Sequence, residues 1–268
     1  MTPGDKFSRL RQSLKDMDRV IIAFSGGVDS TFLLKAAAVS GLSRVIAVTG
    51  RSGSLPEEEL SFAAEMADSL GVTHRVIDTG ELDDRNYTDN PPDRCYYCKK
   101  ELFSRLREMA LREGIRHILD GTNADDAADR RPGRRAAAEA GVVSPLLDAG
   151  LGKDEIRELS RSLGLPTWDK PATPCLSSRF PYGQKITPEG LEMVGRAEAF
   201  IRKFGIREFR VRSHSGVARI EAPPEDFPEL TREPARKEIT EFLRSLGFRY
   251  VTLDLQGFRS GSANEVLE

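Results

Sequence analysis

The chain has 268 residues, a formal net charge of −2 at pH 7 and a pI near 6.1. This length can bury a large hydrophobic core, and we expect two domains. The small net charge and the lack of a long run of like charges give no support to stable nucleic-acid binding. No apolar stretch has the length of a membrane span, and the first 18 residues are too polar for a signal peptide. We therefore expect a cytoplasmic protein that binds neither membranes nor nucleic acid stably.

The first part of the chain alternates between predicted strands and predicted helices. Apolar β-type runs predict strands at residues 19–24, 44–49, 74–78 and 116–120. Helical patterns occupy residues 31–39, 56–70, 99–112 and 153–163, the last of them before Gly164 and Pro166. This alternation predicts the α/β fold class, with a parallel sheet covered by helices on both faces.

A different pattern follows the stretch that contains Pro and Gly at residues 170–183. Helices are predicted at residues 188–204 and 232–246, and strands at residues 208–212, 217–221 and 248–255. This order indicates a smaller C-terminal α+β domain. We place the boundary near residue 184, so that the expected domains are residues 1–184 and 185–268.

A glycine turn, Ser25-Gly26-Gly27-Val28-Asp29-Ser30, joins the first predicted strand to the helix after it. The glycines can bring the backbone close to an anion, and the hydroxyls and first helical N–H groups can donate to it. The turn therefore predicts a phosphate-binding loop, although a simple βα connection is the alternative. It lacks the Lys of a Walker-type loop. Because Asp29 would repel phosphate unless a divalent cation lay between them, we expect it to bind Mg²⁺.

Polar residues follow the fourth predicted strand, in the segment at residues 120–126. The carboxyl ends of parallel strands meet at one edge of a sheet, so this segment is expected beside the phosphate loop. Its candidate nucleotide-binding residues are Gly121, Thr122, Asn123 and Asp125. The alternative for one or two of them is a helix cap, a role that Thr, Asn and Asp favour.

The three cysteines form a close pair, Cys95 and Cys98, and a distant third, Cys175. An odd number argues against a disulfide framework and for metal or catalytic use. The close pair, at the start of a predicted helix, can share one metal or cluster. A structural zinc would need two more ligands, whereas three cysteines would suit a [4Fe-4S] cluster with one open iron. Independent reduced thiols are the alternative.

Two arginines, Arg210 and Arg212, alternate with apolar residues on a predicted strand. Side chains two apart on a strand point to the same face, so both guanidiniums are expected on one side. Two such groups suit a phosphate. The alternative is a solvated edge strand.

These motifs together identify a family. The six-residue loop is similar to the pyrophosphate loop of the PP-loop ATP pyrophosphatase superfamily, whose fold is the adenine nucleotide alpha hydrolase-like α/β domain. Further motifs lie at residues 121–126, 131–133, 170–172, 175–183, 210–214, 218–221 and 254–261. With them the chain resembles, over nearly its whole length, the LarE family of ATP-dependent sulfur transferases in nickel-pincer nucleotide cofactor synthesis.

The resemblance implies a substrate and a reaction. ATP would adenylate a carboxylate of pyridinium-3,5-biscarboxylic acid mononucleotide, and sulfur would then displace AMP to give a thiocarboxylate. A second cycle would treat the other carboxylate. The resemblance implies catalytic roles for Asp29, Cys175, Ser178 and Arg179, and substrate-phosphate binding by Arg210 and Arg212. At the same phosphate and metal site, the resemblance implies an acidic partner among Glu192, Glu221 and Asp254.

The source of the sulfur depends on the cysteines. In single-cysteine members of the family, the residue matching Cys175 gives up its own sulfur and becomes dehydroalanine. Because Cys95 and Cys98 are also present, the chain is similar to three-cysteine variants, and we expect the three to hold a [4Fe-4S] cluster whose open iron carries an extra sulfide. The resemblance also implies a homo-hexamer and stimulation by coenzyme A.

Three other functions compete with this one. A tRNA thiolation enzyme shares the loop and sometimes a three-cysteine cluster, but its usual additional cysteine pairs are missing, and the acidic pI is unhelpful for RNA. An ATP-dependent amide synthetase would need an ammonia source, and no glutaminase portion is present. A non-catalytic nucleotide-binding protein would leave Cys175 and the paired arginines unexplained.

Overall fold

The computed structural model describes residues 1–127, 132–259, 261–262 and 265. Arg131 and Ser260, which belong to two of the motifs above, lie outside the described residues. The chain forms two compact units. The first unit consists of Met1–Asp84 and Asp93–Thr173, and the second consists of Arg85–Pro92 and Pro174–Glu268.

The first unit is built on a parallel sheet. Its strands are β1 (Arg19–Ala23), β2 (Arg44–Arg51), β3 (Thr73–Asp78) and β4 (His117–Leu119), and their order in the sheet is β3-β2-β1-β4. All three pairings are parallel, with Ile21 opposite Ile46 and Ile118. The predicted α/β class with a parallel sheet is thus confirmed.

The described helices, in chain order, are α1 (Pro3–Met17), α2 (Val28–Ala38), α3 (Glu57–Ser69), α4 (Arg85–Thr88), α5 (Arg94–Glu113), α6 (Pro132–Glu139), α7 (Pro145–Asp148), α8 (Lys153–Ser162), α9 (Pro188–Arg202), α10 (Phe227–Thr231) and α11 (Ala235–Ser245). Helices α4 and α9 to α11 belong to the second unit. No helix in the described part of the chain is both long and apolar enough to cross a membrane.

Two hydrophobic cores cover the faces of the parallel sheet. Val20 and Ile22 of β1 pack into one core with residues of α1, α2 and α3, whereas Ile21 packs into the other with residues of α5 and α6. Alternate strand residues point to opposite faces, so a strand buried on both sides must be apolar throughout. This requirement explains the uninterrupted apolar run that made β1 recognisable in the sequence.

The second unit contains a smaller mixed sheet. Strands β5 (Arg210–His214) and β6 (Val217–Glu221) form an antiparallel hairpin, and β7 (Tyr250–Leu253) pairs in parallel with β6. Ser215 and Gly216, in the hairpin turn, both have positive φ. Two-residue hairpin loops commonly use this conformation because its twist matches that of the strands. The expected smaller α+β region is therefore present.

Residues 85–92 belong to the second unit, although they lie early in the chain. Asn90 is fully buried, and its side-chain amide donates to the carbonyl oxygens of Phe180, Pro181 and Gln184. Backbone bonds also run from Gly183 N–H to Asn90 O and from Ile186 N–H to Thr88 O. The units divide at residues 173 and 174, whereas the predicted domain boundary near residue 184 stays a prediction, since a domain must also fold independently.

Candidate functional site

The predicted phosphate loop is the turn between β1 and α2, and its own side chains close it. The hydroxyl oxygens of Ser25 and Ser30 lie 3.1 Å apart, and the Gly27 N–H donates to Ser25 Oγ at 3.3 Å. Gly26 has a φ of +69°, which residues with a Cβ rarely adopt. Glycine at this position therefore permits the tight turn.

The loop ends at the N-terminus of α2, where backbone N–H groups can receive an anion. Gly27 is the cap residue, and it has extended backbone with no side-chain cap hydrogen bond. The N–H groups of Val28 and its neighbours thus lie at the positive end of the helix dipole, and the N-cap residue offers them no side-chain acceptor. A Cβ on Gly121, after β4, would lie 3.0 Å from the Ser30 backbone nitrogen. Glycine therefore lets the β4 loop approach this helix end closely.

Asp29 places a carboxylate in the first turn of α2. Its Oδ1 atom is buried and has no hydrogen-bond partner among the described residues, while Oδ2 lies 3.7 Å from Lys153 Nζ. Burial raises the pKa of the Asp29 carboxyl; Lys153 opposes this shift, whereas nearby Asp126 adds to it. A buried carboxylate oxygen without a partner is costly unless a cation binds it. These properties fit a Mg²⁺ ligand.

The segment after β4 lies near α2, but several of its groups hold the segment together. Asn123 Oδ1 accepts the N–H groups of Asp125 and Asp126, and Thr122 Oγ1 donates to Asp120. Asp125 Oδ2 accepts the Lys153 N–H at 2.7 Å, so this carboxylate caps α8. The capping alternative thus accounts for contacts of Asn123 and Asp125, and Asp126 acts on Asp29 electrostatically.

The cysteines lie in different units. Cys95 and Cys98 occupy the first turns of α5 in the first unit, whereas Cys175 precedes the short 3-10 helix Leu176–Arg179 in the second. None of the three forms a disulfide bond, and Cys95 is exposed. Across the residues that the structure describes, no group of three or more His, Cys, Asp or Glu side chains is arranged to hold a metal ion.

Cys175 is held through its backbone. Its carbonyl oxygen accepts the Ser178 N–H and the Ser178 hydroxyl, at 3.0 and 2.8 Å, and the Arg179 Nη1 atom lies 3.3 Å from it. Arg179 is almost fully buried and pairs with Glu198 of α9. Ser178 and Arg179 therefore fix the Cys175 segment, and the side chain of Cys175 stays partly exposed.

The two arginines of β5 have different surroundings. Arg212 is buried, with its guanidinium bonded to Glu221 and to the Ser178 carbonyl. Arg210 lies over the Phe258 ring, and burial, with nearby Arg179, lowers its pKa to about 10. Arg212 is thus paired with a carboxylate, whereas the charge of Arg210 is opposed by Arg179 and Arg212 and favoured by Glu198 and Glu208.

Some residues of these regions were not predicted. Lys153, beside Asp29, belongs to a helix far along the chain, and Glu198, the partner of Arg179, lies inside an amphipathic helical pattern. No local motif marks either residue. Their roles depend on tertiary contacts, although a charged residue at a buried helix position, as at Glu198, can indicate a paired group.

Comparisons with known proteins agree with this fold and loop. The family described as Queuosine biosynthesis protein QueC matches residues 19–89. The pyridinium-3,5-bisthiocarboxylic acid mononucleotide synthase of Lactiplantibacillus plantarum is 42% identical over 99% of this chain and 96% of its own. An uncharacterised protein of Synechocystis sp. is 47% identical over 98% of both chains. The glutamine-hydrolysing GMP synthase of Aeropyrum pernix is 29% identical, covering 75% of this chain and 43% of its own.

The parallel sheet and the glycine loop at the N-terminus of α2 define a PP-loop enzyme. The similarity to the Lactiplantibacillus plantarum synthase extends over the residues of the parallel sheet and those of the C-terminal sheet alike. The chain belongs to the LarE family of ATP-dependent sulfur transferases.

Proposed function

We propose that this protein uses ATP to convert the carboxylates of pyridinium-3,5-biscarboxylic acid mononucleotide into thiocarboxylates. The observation that carries the proposal is the phosphate loop with an Asp29 oxygen that has no hydrogen-bond partner among the described residues. The chain is also similar, over 99% of its length, to a synthase named for the bisthiocarboxylic product. Hydrolysis of ATP alone would not need the partly exposed cysteine at residue 175.

The first chemical step is adenylation. A substrate carboxylate oxygen attacks the α-phosphorus of ATP, a new O–P bond forms, and the bond to the bridging oxygen breaks to release pyrophosphate. The groups proposed to bind ATP are Ser25, Gly26, Gly27, Val28, Asp29, Ser30, Gly121, Thr122, Asn123 and Asp125. Asp29 would hold Mg²⁺, which when bound neutralises phosphate charge. Backbone N–H groups at the N-terminus of α2 orient the phosphates and are already in place before ATP binds.

The second step transfers sulfur. A sulfur nucleophile attacks the acyl carbon, a C–S bond forms, and AMP leaves with the electrons of the broken C–O bond. Cys175 is the proposed catalytic cysteine, with Ser178 and Arg179 positioning its backbone. We include a [4Fe-4S] cluster on Cys95, Cys98 and Cys175 in the proposal because three thiols outside disulfide bonds are a suitable donor set with one iron left open. Such a cluster, when bound, would supply the sulfide.

The phosphate of the substrate is assigned to the arginines of β5. Arg210 is the residue to test first, because a substitution of Arg212 would also break its ion pair with Glu221. A phosphate near Arg210 would offset the repulsion from Arg179 and Arg212 that disfavours its charged form. The hexameric state and stimulation by coenzyme A belong to the proposal on the family resemblance alone.

The deciding experiment supplies anaerobically purified protein with ATP, Mg²⁺ and the biscarboxylic mononucleotide. We expect AMP, pyrophosphate and the thiocarboxylate product, identified by mass spectrometry. Thiolated tRNA formed from added tRNA, with no thiocarboxylate, would replace this proposal with the tRNA enzyme.

Iron and acid-labile sulfide, measured on the same protein, test the source of the sulfur. About four irons per chain, lost in Cys95→Ala and Cys98→Ala variants, would support the cluster. No iron after reconstitution, together with a mass loss of about 34 Da after turnover, would identify Cys175 as a sacrificial donor that becomes dehydroalanine.

A further inference from the structure

The phosphate loop contains no cationic side chain, but Lys170, near the last residue of the first unit in the sequence, lies against it. Lys170 Nζ is 3.3 Å from the carbonyl oxygen of Gly26 and 2.8 Å from Glu59 Oε2. The same ammonium lies 3.7 Å from the centre of the Phe62 ring. Only 18% of the Lys170 side chain is exposed, so its charge is held at the loop and does not extend into solvent.

The surroundings of Lys170 are close-packed. A Cβ on Gly26 would lie 3.2 Å from Ala63, which shows that α3 packs directly on the loop. Glu59 and Phe62, the two side chains that contact the ammonium, also belong to α3. On the other side, the Arg157 guanidinium bonds to the Lys170 carbonyl oxygen at 3.0 Å and so fixes its backbone. The ammonium is therefore pre-positioned beside the loop.

The hydrogen bonds of the Lys170 ammonium do not use all of its N–H donors. A lysine ammonium has three N–H donors. In the described structure, Glu59 and the Gly26 carbonyl accept two of them. Among the described residues the third donor has no hydrogen-bond acceptor, although the Phe62 ring lies against the ammonium, and it stands beside a loop whose backbone is arranged for phosphate.

We propose that Lys170 supplies the positive charge that the phosphate loop lacks. Its ammonium donates to the β- and γ-phosphate oxygens of ATP and stays with the pyrophosphate as it leaves. This inference rests on the proposed function, because it takes ATP as the ligand of the loop. In adenylation, negative charge moves onto the oxygen that bridges the α- and β-phosphorus atoms as its bond to the α-phosphorus breaks. A fixed cation at the pyrophosphate stabilises that charge.

Two variants that break the same ion pair distinguish this role from a structural one. Lys170→Met removes the cation, whereas Glu59→Gln removes only its carboxylate partner and leaves the positive charge beside the phosphates. If Lys170 binds phosphate, these changes shift ATP affinity in different directions. If Lys170 only stabilises the fold, neither variant changes ATP affinity selectively, and any loss of affinity applies to AMP as much as to ATP and pyrophosphate.

The measurement is calorimetric titration of the full-length protein with Mg²⁺–ATP, with inorganic pyrophosphate and with AMP. For Lys170→Met we expect ATP and pyrophosphate affinity to fall about 10- to 100-fold, the range for a hydrogen bond to a charged group, and AMP affinity to change less than about threefold. Glu59→Gln should keep or increase ATP affinity. Lys15→Met, at an exposed position of α1, is the matched control and should behave as wild type.

Parallel losses for ATP and AMP, or equal losses in Lys170→Met and Glu59→Gln, would overturn the inference, and thermal unfolding of each variant identifies any that fails to fold. The titrations need no sulfur-transfer substrate, so the two proposals fail separately. Wild-type protein that forms no thiocarboxylate, with a selective loss of ATP affinity in Lys170→Met, would reject only the proposed function. Normal thiocarboxylate formation with full ATP affinity in Lys170→Met would reject only the role of Lys170.

Discussion

Arg179 and Glu198 form a two-point ion pair, in which Nε and Nη2 each donate to a carboxylate oxygen at 2.8 Å. The side chains are 1% and 5% exposed. Glu198 also accepts the Val211 N–H of β5, while Arg179 donates to the carbonyl oxygen of Pro174. The pair thus connects the helix, the sheet and the cysteine segment within the second unit. The proposed positioning role of Arg179 toward Cys175 rests on these contacts.

Glu198→Gln should destabilise the protein strongly, because it leaves the Arg179 charge buried without a counter-charge. We expect a loss of about 3 kcal/mol in the free energy of unfolding, measured by chemical denaturation. Glu192→Gln is a matched control on the same helix, since Glu192 pairs with Arg196 at the surface. It should change stability by less than about 0.5 kcal/mol. Equal effects of the two substitutions would contradict the structural role of the buried pair.

Asp29→Asn should abolish pyrophosphate release while leaving the metal-free protein at least as stable as wild type. A drop of at least about 100-fold in turnover is expected from the loss of a metal ligand. Thermal unfolding without metal should show a Tm no lower than that of wild type near pH 7, because burial disfavours the charged carboxyl. Unchanged turnover would show that Asp29 is not a metal ligand in the reaction.

The pH dependence of metal-free stability has a definite sign. Because the pKa of Asp29 is raised in the folded protein, its neutral form favours folding at low pH, and this contribution is lost as pH rises through the raised value. The difference in Tm between Asp29→Asn and wild type should therefore increase from acid to neutral pH. A difference that is constant with pH would mean that the folded protein does not shift this carboxyl.

Gly121→Ala should disturb the N-terminus of α2 at the phosphate loop, because the new Cβ would meet backbone atoms of Ser30 and not a movable side chain. We expect ATP affinity to fall about tenfold and stability to fall by about 1 to 3 kcal/mol. Gly4→Ala, at an exposed position of α1 where the nearest atom is 3.8 Å away, is the control. It should leave both unchanged or raise stability slightly, since Ala favours helix. Normal ATP affinity in Gly121→Ala would show that the β4 loop can move away without cost.

Arg210→Met should weaken binding of the substrate mononucleotide by more than about tenfold, through loss of a charge-assisted hydrogen bond. The corresponding nucleoside, which lacks the phosphate, should bind wild type and variant equally. Thermal unfolding of the substrate-free variant is the control for folding, because the Arg210 guanidinium also interacts with Glu198 and Glu208 and donates to the Phe209 carbonyl oxygen. Equal losses of affinity for nucleotide and nucleoside would show that Arg210 acts through packing and does not bind the phosphate.

The sequence allowed the phosphate loop and its flanking elements to be predicted because their chemistry is local. A strand buried on both faces must be apolar, and a turn against an anion needs glycine, so residues 19–30 contain the required pattern by themselves. The helix α1 was not predicted, although Thr2 and Asp5 form a capping box at its start. The helix is polar overall and buries only Leu10 and Leu14, so its apolar periodicity is weak in the sequence.

Other features could not be predicted because they depend on residues far apart in the chain. Nothing near Lys170 in the sequence indicates that its ammonium lies at Gly26, 144 positions away. Asp125 and Asp126 lie in the short 3-10 helix Asp125–Ala127, where one carboxylate accepts the first N–H of α8 and the other acts on Asp29 electrostatically. Residue type alone could not distinguish these neighbours.

The placement of residues 85–92 has a consequence for any attempt to divide the protein. Because Asn90 binds three carbonyl groups between residues 180 and 184, a fragment that starts at residue 174 would expose them without their donor. One cut in the chain cannot release either unit whole. Exchange of the C-terminal part between relatives would therefore have to include this short segment, which lies between the third strand and the cysteine pair in the sequence.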